Sequence, residues 1–168
     1  MSAPTAIEAR LMATLAGLMP IARAGFRDPW WIIGSAAMRL AGVGAPEPND
    51  IDLLCSGRDA DALAEAWAAH RDIDFRPADG DRFRSRFARF PYLPMPLEAM
   101  GDLEVRVADA WQPVQVTAEL QVEVNGHAVT VPTLREQQRI LLLFGREKDL
   151  AKAARIAEFM AAREAHVH

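Results

Sequence analysis

Residues 30–55 read WWIIGSAAMRLAGVGAPEPNDIDLLC and contain the clearest structural pattern in the sequence. The apolar run Trp30–Ile33 predicts a buried strand. Gly34-Ser35 predicts a turn, and residues 36–41 predict a short helix. A loop rich in glycine and proline follows, and a second apolar strand is expected over residues 50–54. The stretch is therefore expected to fold as two strands joined by a turn, a helix and a loop.

The second strand carries two acidic residues, Asp50 and Asp52. Side chains alternate across a strand, so residues two apart project from the same face. Two neighbouring carboxylates repel each other unless a cation neutralises them, and oxygen ligands suit a hard divalent ion such as Mg²⁺. The start of the helix at Gly34 and Ser35 favours phosphate. Together these residues predict a site for a metal ion and a triphosphate.

The composition is that of an ordinary globular protein. Of 168 residues, 51% are hydrophobic and 25% are charged, and the formal net charge is −4. This charge argues against a protein coated by nucleic acid. A single cysteine, Cys55, excludes an intrachain disulfide and a cysteine-based zinc site, and it is expected to be a small buried residue. No apolar run is long enough to span a membrane and no signal peptide is evident, so a cytoplasmic protein is expected.

We expect one domain with three parts, namely a helical N-terminus over residues 4–24, a core over residues 28–132 and C-terminal helices over residues 134–164. Thr5 and Glu8 have the spacing of a capping box, and Pro20 is expected to kink or split the first helix. Four smaller features are expected in the core: a helix capped by Asp59 and ending near His70, a strand at Ile73–Phe75, a strand at Leu97–Met100 closed by a turn at Gly101-Asp102, and a type I′ hairpin at Asn125-Gly126.

Two helices are expected at the C-terminus. The first should run from Leu134 to Phe144 and end at Gly145. The second should run from Glu147 to Glu164, with the residues after it frayed. Its inward residues are expected to be Leu150, Ala154, Ile156 or Ala157, and Met160.

A basic strand is predicted over residues 82–87. Arg82, Arg84 and Arg86 alternate with Phe83 and Phe87, which gives the strand one basic face. One interpretation is a solvated edge strand on which arginine discourages aggregation. The other is an electropositive wall for phosphates, because no acidic residue neighbours the arginines on that face.

The order Gly34-Ser35, helix, Asp50-Ile51-Asp52 resembles the signature of the nucleotidyltransferase superfamily related to DNA polymerase β. Small bacterial and toxin-like members are the most similar. The segment Arg146-Glu147-Lys148-Asp149 also resembles the residues that open the last helix in such proteins. The resemblance covers roughly residues 28–160. It implies an α+β fold with a mixed sheet flanked by helices and a C-terminal helix pair.

The resemblance also implies a third carboxylate on a later strand. Glu98 is the first candidate, because a lone acid in an apolar strand needs a reason to be buried. Glu104 is the second candidate and Asp102 the third. The acids would hold Mg²⁺ or Mn²⁺, and the Gly34-Ser35 turn would hold the terminal phosphates of an NTP. Further positive charge for the triphosphate would come from Arg84, Arg86, Arg146 or Lys148.

The implied activity is metal-dependent transfer of an NMP from an NTP to a hydroxyl on a small molecule, protein or RNA. One alternative is an inactive nucleotidyltransferase-like module that binds a nucleotide or a protein, as in a toxin–antitoxin or regulatory pair. Another is an unrelated α+β domain with an accidental acid pair. The acceptor is unknown, and a homodimer or a partner protein is a possible completion of the cleft.

The remaining aromatic and histidine residues are given structural roles. The pair Trp30-Trp31 is expected to pack in the core, with stacking on a base as the alternative. His70 and His127 are expected at the surface. His166 and His168 lie near the end of the chain and are not expected to bind a metal.

Overall fold

The computed structural model describes residues 2–167 and contains five α-helices and seven strands within them. The helices are α1 (Ala6–Gly25), α2 (Gly34–Leu40), α3 (Gly57–Ala66), α4 (Leu134–Phe144) and α5 (Glu147–Val167). The strands are β1 (Trp31–Ile33), β2 (Ile51–Cys55), β3 (Phe83–Phe90), β4 (Leu97–Val107), β5 (Ala110–Pro113), β6 (Glu119–Val124) and β7 (His127–Pro132). A turn of 3-10 helix, Ala68–His70, follows α3.

The main sheet is mixed. Its strand order is β1-β2-β4-β3, and the second half of β4 also pairs with β5. Strands β2 and β4 are parallel, whereas the other pairs are antiparallel. Strands β6 and β7 form a separate hairpin. With helices around this sheet and α4 and α5 at the C-terminus, the fold is α+β, which confirms the expected fold class.

One face of the sheet forms the main core against α1 and α3. Because side chains alternate along each strand, every second residue of β2, β4 and β3 points to this face. These residues are Ile51, Leu53, Cys55, Leu97, Ala99, Ala88 and Phe90, all buried. The residues between them point to the opposite face. There Leu54, Leu103 and Val105 pack on Ile140 and Phe144 of α4. The rest of that face carries polar residues and is not covered by α4.

The N-terminal helix begins as predicted and is not split. The amide of Glu8 donates to Thr5 Oγ1 at 3.1 Å, and the amide of Thr5 donates to Glu8 Oε2 at 3.2 Å, which completes the capping box. Pro20 lies inside α1, but the helix continues to Gly25.

The predicted cap of α3 is wrong. Ser56 is the N-cap, since its hydroxyl accepts a hydrogen bond from the amide of Asp59. Asp59 is fully buried instead, and the amides of Arg27 and Asp28 donate to its carboxylate at 3.0 Å each. The helix ends at Ala66, before the predicted end. A buried acid with two backbone donors therefore anchors the loop before β1.

Two predicted core elements differ from the structure. Residues 73–75 form no strand. Gly101-Asp102 is not a turn, because β4 runs through it as one strand of 11 residues. The register shifts there, and Asp102 has a φ of +52°. An extra residue in one strand produces such a bulge, which bends the strand without ending it.

In the C-terminal third, the predicted helix boundaries agree with the structure better than the predicted inward residues do. Helix α4 has the predicted bounds, and Gly145 follows it in the left-handed region with a φ of +72°. The Asn125-Gly126 hairpin is also confirmed. In α5 the inward positions of Ile156 and Met160 are confirmed, since Ile156 is buried and Met160 packs against the same cluster. Leu150 is 46% exposed and Ala154 is also exposed, whereas Asp149 and Ala153 face inward in their place. The helix extends to Val167, so residues 165–167 are not frayed, and His168 lies outside the described residues.

Candidate active site

A row of polar side chains crosses the open face of the main sheet. Asp52 of β2 pairs with Glu98 of β4, and Glu98 pairs with Arg89 of β3. On its other side Asp52 pairs with Ile33, the last residue of β1, which directly precedes Gly34. Asp50 comes directly before β2. Neighbouring strands lie about 4.8 Å apart, so each residue in the row is one strand away from the next. The fold thus brings together acids that are 46 residues apart in sequence when counted from Asp52 to Glu98.

The structure selects one of the three candidates for the third acid. Carboxylate oxygens of Asp50, Asp52 and Glu98 lie within 4.8 Å of one another. Glu104 is further along β4, where its carboxylate accepts a hydrogen bond from Arg84 Nε at 2.8 Å. Asp102 occupies the bulge of β4, close to Gly57 of α3. Glu98 is therefore the candidate that joins the aspartates, and we call Asp50, Asp52 and Glu98 the acid triad.

The acid triad is electrostatically unfavourable without a cation. Burial, together with the charges of Asp50 and Glu98, raises the pKa of Asp52 to about 7. Burial and Asp50 also raise the pKa of Glu98, although Arg89 and Lys148 oppose this rise. Three half-buried carboxylates whose oxygens lie within 4.8 Å of one another provide the oxygen ligands that Mg²⁺ or Mn²⁺ prefers. The donor set therefore fits a divalent metal ion.

Two features of the structure require glycine at position 34. Its φ is +71°, in the left-handed region that side chains disfavour. A β-carbon at this position would also lie only 2.7 Å from Asp52 Oδ2. The turn between β1 and α2 is therefore packed directly against the acid triad. Ser35 lies half-buried in the first turn of α2, but it is not among the residues that line the cleft described next.

A cleft of about 840 Å³ opens over the acid triad. Gly34 lies in its wall at one end of the polar row, and α5 contributes Lys148 and Lys152. Segment 71–80, the irregular stretch before β3, contributes a further wall. Of the basic residues predicted from the sequence, Arg84, Arg146 and Lys148 line the cleft.

The structure does not bring Arg86 to the cleft. Arg86 pairs with Asp61 of α3, with Arg86 Nε 3.4 Å from Asp61 Oδ1. Arg84 pairs with Glu104 and lies over the ring of Trp111, and Arg82 donates to the carbonyl of Phe144. The expectation of a basic face without acidic neighbours is therefore wrong. Strand β3 is an edge strand, in agreement with the first interpretation of this segment.

Sequence reasoning missed four basic residues that line the cleft, namely Arg71, Arg76, Arg89 and Lys152. Arg89 donates to Glu98 Oε1 across the β3–β4 pair. Lys152 lines the cleft, and its charge lowers the pKa of Asp52. Arg89 had the same signal as Glu98, namely a lone charge in an apolar strand, here Phe87-Ala88-Arg89-Phe90. A signal for Lys152 was present, because it follows Lys148 by four residues in the predicted helix and so lies on the same face.

The other predicted residues lie away from the cleft. Trp30 packs edge-on against Phe26, and Trp31 Nε1 donates to Glu119 Oε2. Cys55 is buried, and burial raises its pKa to about 12, which leaves the thiol protonated. His70 is exposed, and His127 contacts Arg23.

Within residues 2–167, the helices are all too short or too polar to cross a bilayer.

Comparisons with known proteins agree with the fold. No protein-family model and no curated protein sequence matches the chain. Among solved structures, the chain is similar to TM1012 of Thermotoga maritima, a proposed nucleotidyltransferase, with 23% identity and a TM-score of 0.65 over 89% of this chain and 93% of that one. It is also similar to the antibiotic-resistance factor ANT(2'')-Ia, with 12% identity and a TM-score of 0.59 over 95% of this chain and 89% of that one. The chain therefore shares its fold with these two solved structures, one of which is a proposed nucleotidyltransferase.

Proposed function

We propose that the protein is a metal-dependent nucleotidyltransferase that moves an NMP from an NTP to a hydroxyl acceptor. The observation that carries this proposal is the acid triad, whose three carboxylates come from adjacent strands and meet beside the Gly34 turn. Such a cluster is costly to bury unless it holds cations. It also lies at the floor of an open cleft of about 840 Å³, which is large enough for a nucleotide.

The acid triad would hold two divalent ions, with Asp50 and Asp52 as ligands of both and Glu98 as a ligand on the acceptor side. A pair of ions roughly 3.5–4 Å apart supplies charge stabilisation for the attacking and leaving oxygens of a phosphoryl transfer. Glu98 also suits the role of proton acceptor for the attacking hydroxyl, because it lies at the β4 side of the acid triad, away from Gly34.

The triphosphate would extend from the acid triad toward Gly34 and α5. Backbone amides of the Gly34-Ser35 turn can approach phosphate closely because Gly34 has no side chain. Lys148 and Lys152 line the cleft and would neutralise the terminal phosphates. Arg146 would act mainly by holding the wall, because its guanidinium already pairs with Asp149 and Asp79. Arg86, outside the cleft, has no part in this proposal.

The reaction joins the acceptor oxygen to the α-phosphorus as the bond between the α-phosphorus and its bridging oxygen breaks. Pyrophosphate leaves with the electron pair of that bond, and Glu98 takes the hydroxyl proton. The reaction needs NTP and Mg²⁺ or Mn²⁺, and we therefore propose a cytoplasmic location. The preferred NTP is left to experiment.

The test is release of pyrophosphate from each of the four NTPs with Mg²⁺ or Mn²⁺, followed by mass spectrometry of the protein and of added acceptors. We expect Asp50→Asn and Asp52→Asn to reduce release by at least about 1,000-fold, since the site would lose metal ligands. Asp109→Asn is the matched control, because Asp109 is exposed and its φ of +65° also suits asparagine. It should retain full activity.

The outcomes separate the enzyme from the alternative suggested by the sequence. If wild type and both variants are equally inert with all four NTPs, the enzyme proposal fails. If wild type then still binds an NTP and Asp52→Asn does not, the protein is a non-catalytic nucleotide-binding module.

A further inference from the structure

The polar row gives the cleft a direction. Gly34 lies at the β1 end of the row, and Arg89 lies at the β3 end, beyond Glu98. If the triphosphate occupies the Gly34 end, the acceptor must approach from the β3 end, beyond Glu98. The wall at that end is segment 71–80.

Segment 71–80 is fixed to the outer edge of β3. The amide of Asp72 donates to the carbonyl of Arg89 at 2.9 Å. Phe75 stacks on Phe87 with ring centroids 5.7 Å apart, and the guanidinium of Arg89 lies 4.9 Å from the centre of the Phe75 ring. The segment is therefore a built part of the cleft, positioned one strand beyond the third acid.

Two cations of this wall are not neutralised. Within residues 2–167, neither Arg71 nor Arg76 forms an ion pair, whereas Arg84, Arg89 and Arg146 in the same cleft each do. Charged side chains that line a cleft without a partner raise the local concentration of ligands of opposite charge.

The contacts of the two arginines leave donors for a ligand. Arg71 Nη2 donates weakly to the carbonyl of Phe87 at 3.4 Å, and its buried Nε has no hydrogen-bond partner. Arg76 Nη1 donates to the carbonyls of Ile73 and Phe75, which holds the side chain over its own segment. A buried donor without a partner is costly. The Arg71 guanidinium would therefore stabilise a ligand oxygen that accepts a hydrogen bond from it.

We propose that the acceptor is an anion, and that Arg71 and Arg76 bind a phosphate or carboxylate group on it while its hydroxyl reaches Glu98. This inference rests on the proposed nucleotidyl transfer and names the chemical class of its second substrate. Two acids of segment 71–80 line the cleft, Asp72 and Asp79. Asp79 is paired with Arg146, so Asp72 is the one that opposes the positive charge of the two arginines. A cationic acceptor would face two unpaired arginines and is disfavoured.

The test uses acceptors built on one scaffold, namely glucose, glucose 6-phosphate, glucuronate and glucosamine. They are neutral, phosphorylated, carboxylated and cationic, so the phosphate and carboxylate arms identify the source of the anion. Transfer is followed by mass spectrometry with the NTP that gives the most pyrophosphate. We expect kcat/KM to be at least about tenfold higher for one of the anionic acceptors than for glucose, with glucosamine the poorest acceptor.

The variants locate the effect. Arg71→Gln combined with Arg76→Gln should remove this preference and leave the KM for NTP within about twofold. Arg135→Gln is the matched control, because Arg135 is exposed on α4 and does not line the cleft. Binding without catalysis is followed by the Nε–Hε NMR signals of Arg71 and Arg76, which glucose 6-phosphate or glucuronate should shift and glucose should not.

The outcomes distinguish failure of the anionic acceptor from failure of nucleotidyl transfer. Pyrophosphate release with no difference between the four acceptors, or with a preference that survives in the double variant, overturns the anionic acceptor but leaves nucleotidyl transfer intact. Absence of pyrophosphate release under all conditions overturns nucleotidyl transfer and this inference with it.

Discussion

Two groups of buried carboxylates in this protein differ in how their charge is satisfied. Asp59, Glu136 and Asp149 are each at most 5% exposed, and all accept hydrogen bonds from nearby donors. The acid triad is less buried, yet burial and the charges of two other acids are the main causes of the raised pKa of Asp52. Donors neutralise each acid of the first group. In the acid triad, Glu98 accepts a hydrogen bond from Arg89, whereas Asp50 and Asp52 accept none from residues 2–167.

The pKa values show the difference directly. Hydrogen bonds from Arg139 and Thr117 lower the pKa of Glu136 to about 2, whereas burial and neighbouring acids raise the pKa of Asp52 to about 7. Burial of an acid is therefore a weak sign of function in this chain. A buried acid such as Asp52, whose pKa is raised by burial and by two neighbouring acids, is a stronger one.

Among variants that keep the acid triad intact, the largest expected effect comes from filling the space that Gly34 leaves beside Asp52. Gly34→Ala would place a β-carbon 2.7 Å from Asp52 Oδ2 and strain a φ of +71°. A displacement of about 1 Å at a reacting group can cost about 100-fold, so we expect at least that loss in kcat/KM for NTP. Pyrophosphate release measures it.

Gly17→Ala is the control for this variant. Gly17 is exposed in the middle of α1, with no atom within 4 Å of its potential β-carbon. Alanine there should raise the free energy of unfolding by about 0.5–1 kcal/mol and leave activity unchanged. Full activity in Gly34→Ala would show that the turn is not part of the catalytic site.

The second effect concerns a satisfied carboxylate. Glu136→Gln should lower the free energy of unfolding at pH 7 by up to about 3 kcal/mol, which corresponds to the fall in pKa from 4.5 to about 2. The folded pKa lies below the unfolded one, so this stability is present above pH 4.5 and is lost as the pH falls toward 2. Urea unfolding of both proteins between pH 7 and pH 3 measures the difference.

A constant difference between wild type and Glu136→Gln across this pH range would contradict the assignment. Glu123→Gln serves as the control, because Glu123 is exposed on β6. Its substitution should change stability by less than about 0.5 kcal/mol at every pH.

The sequence was most informative where the relevant spacing is local. The alternation of residues 50–54 was enough to predict that Asp50 and Asp52 share a face, and the lone charge of Glu98 in an apolar strand marked it as unusual. The choice among Glu98, Glu104 and Asp102 depends on the register of β4 against β2. That register is a long-range property, so the sequence left the alternatives open.

The wrong predictions from the sequence also have long-range causes. Arg146 binds Asp149, which allows this acid to be buried and turns Leu150 outward, so a rule that places apolar residues inward chooses the wrong residues at the start of α5. Segment 71–80 has no regular structure, and its position follows from contacts with β3 rather than from its own sequence. The acceptor side of the cleft was therefore not predictable from local patterns.

The smallest effect separates the two groups by stability alone. In EDTA at pH 8, Asp52→Asn should raise the free energy of unfolding by on the order of 2 kcal/mol, because it removes a charge that burial and two acids oppose. Asp59→Asn should lower it by about 1–3 kcal/mol, because the amides of Arg27 and Asp28 lose a carboxylate partner.

Addition of Mg²⁺ at 100 times its Kd should stabilise wild type by about 2.7 kcal/mol and leave Asp52→Asn nearly unchanged. Thermal unfolding of the three proteins with and without Mg²⁺ measures all of these shifts. If both substitutions destabilise the metal-free protein, then Asp52 is held by donors as Asp59 is, and the distinction between the two groups of carboxylates is wrong.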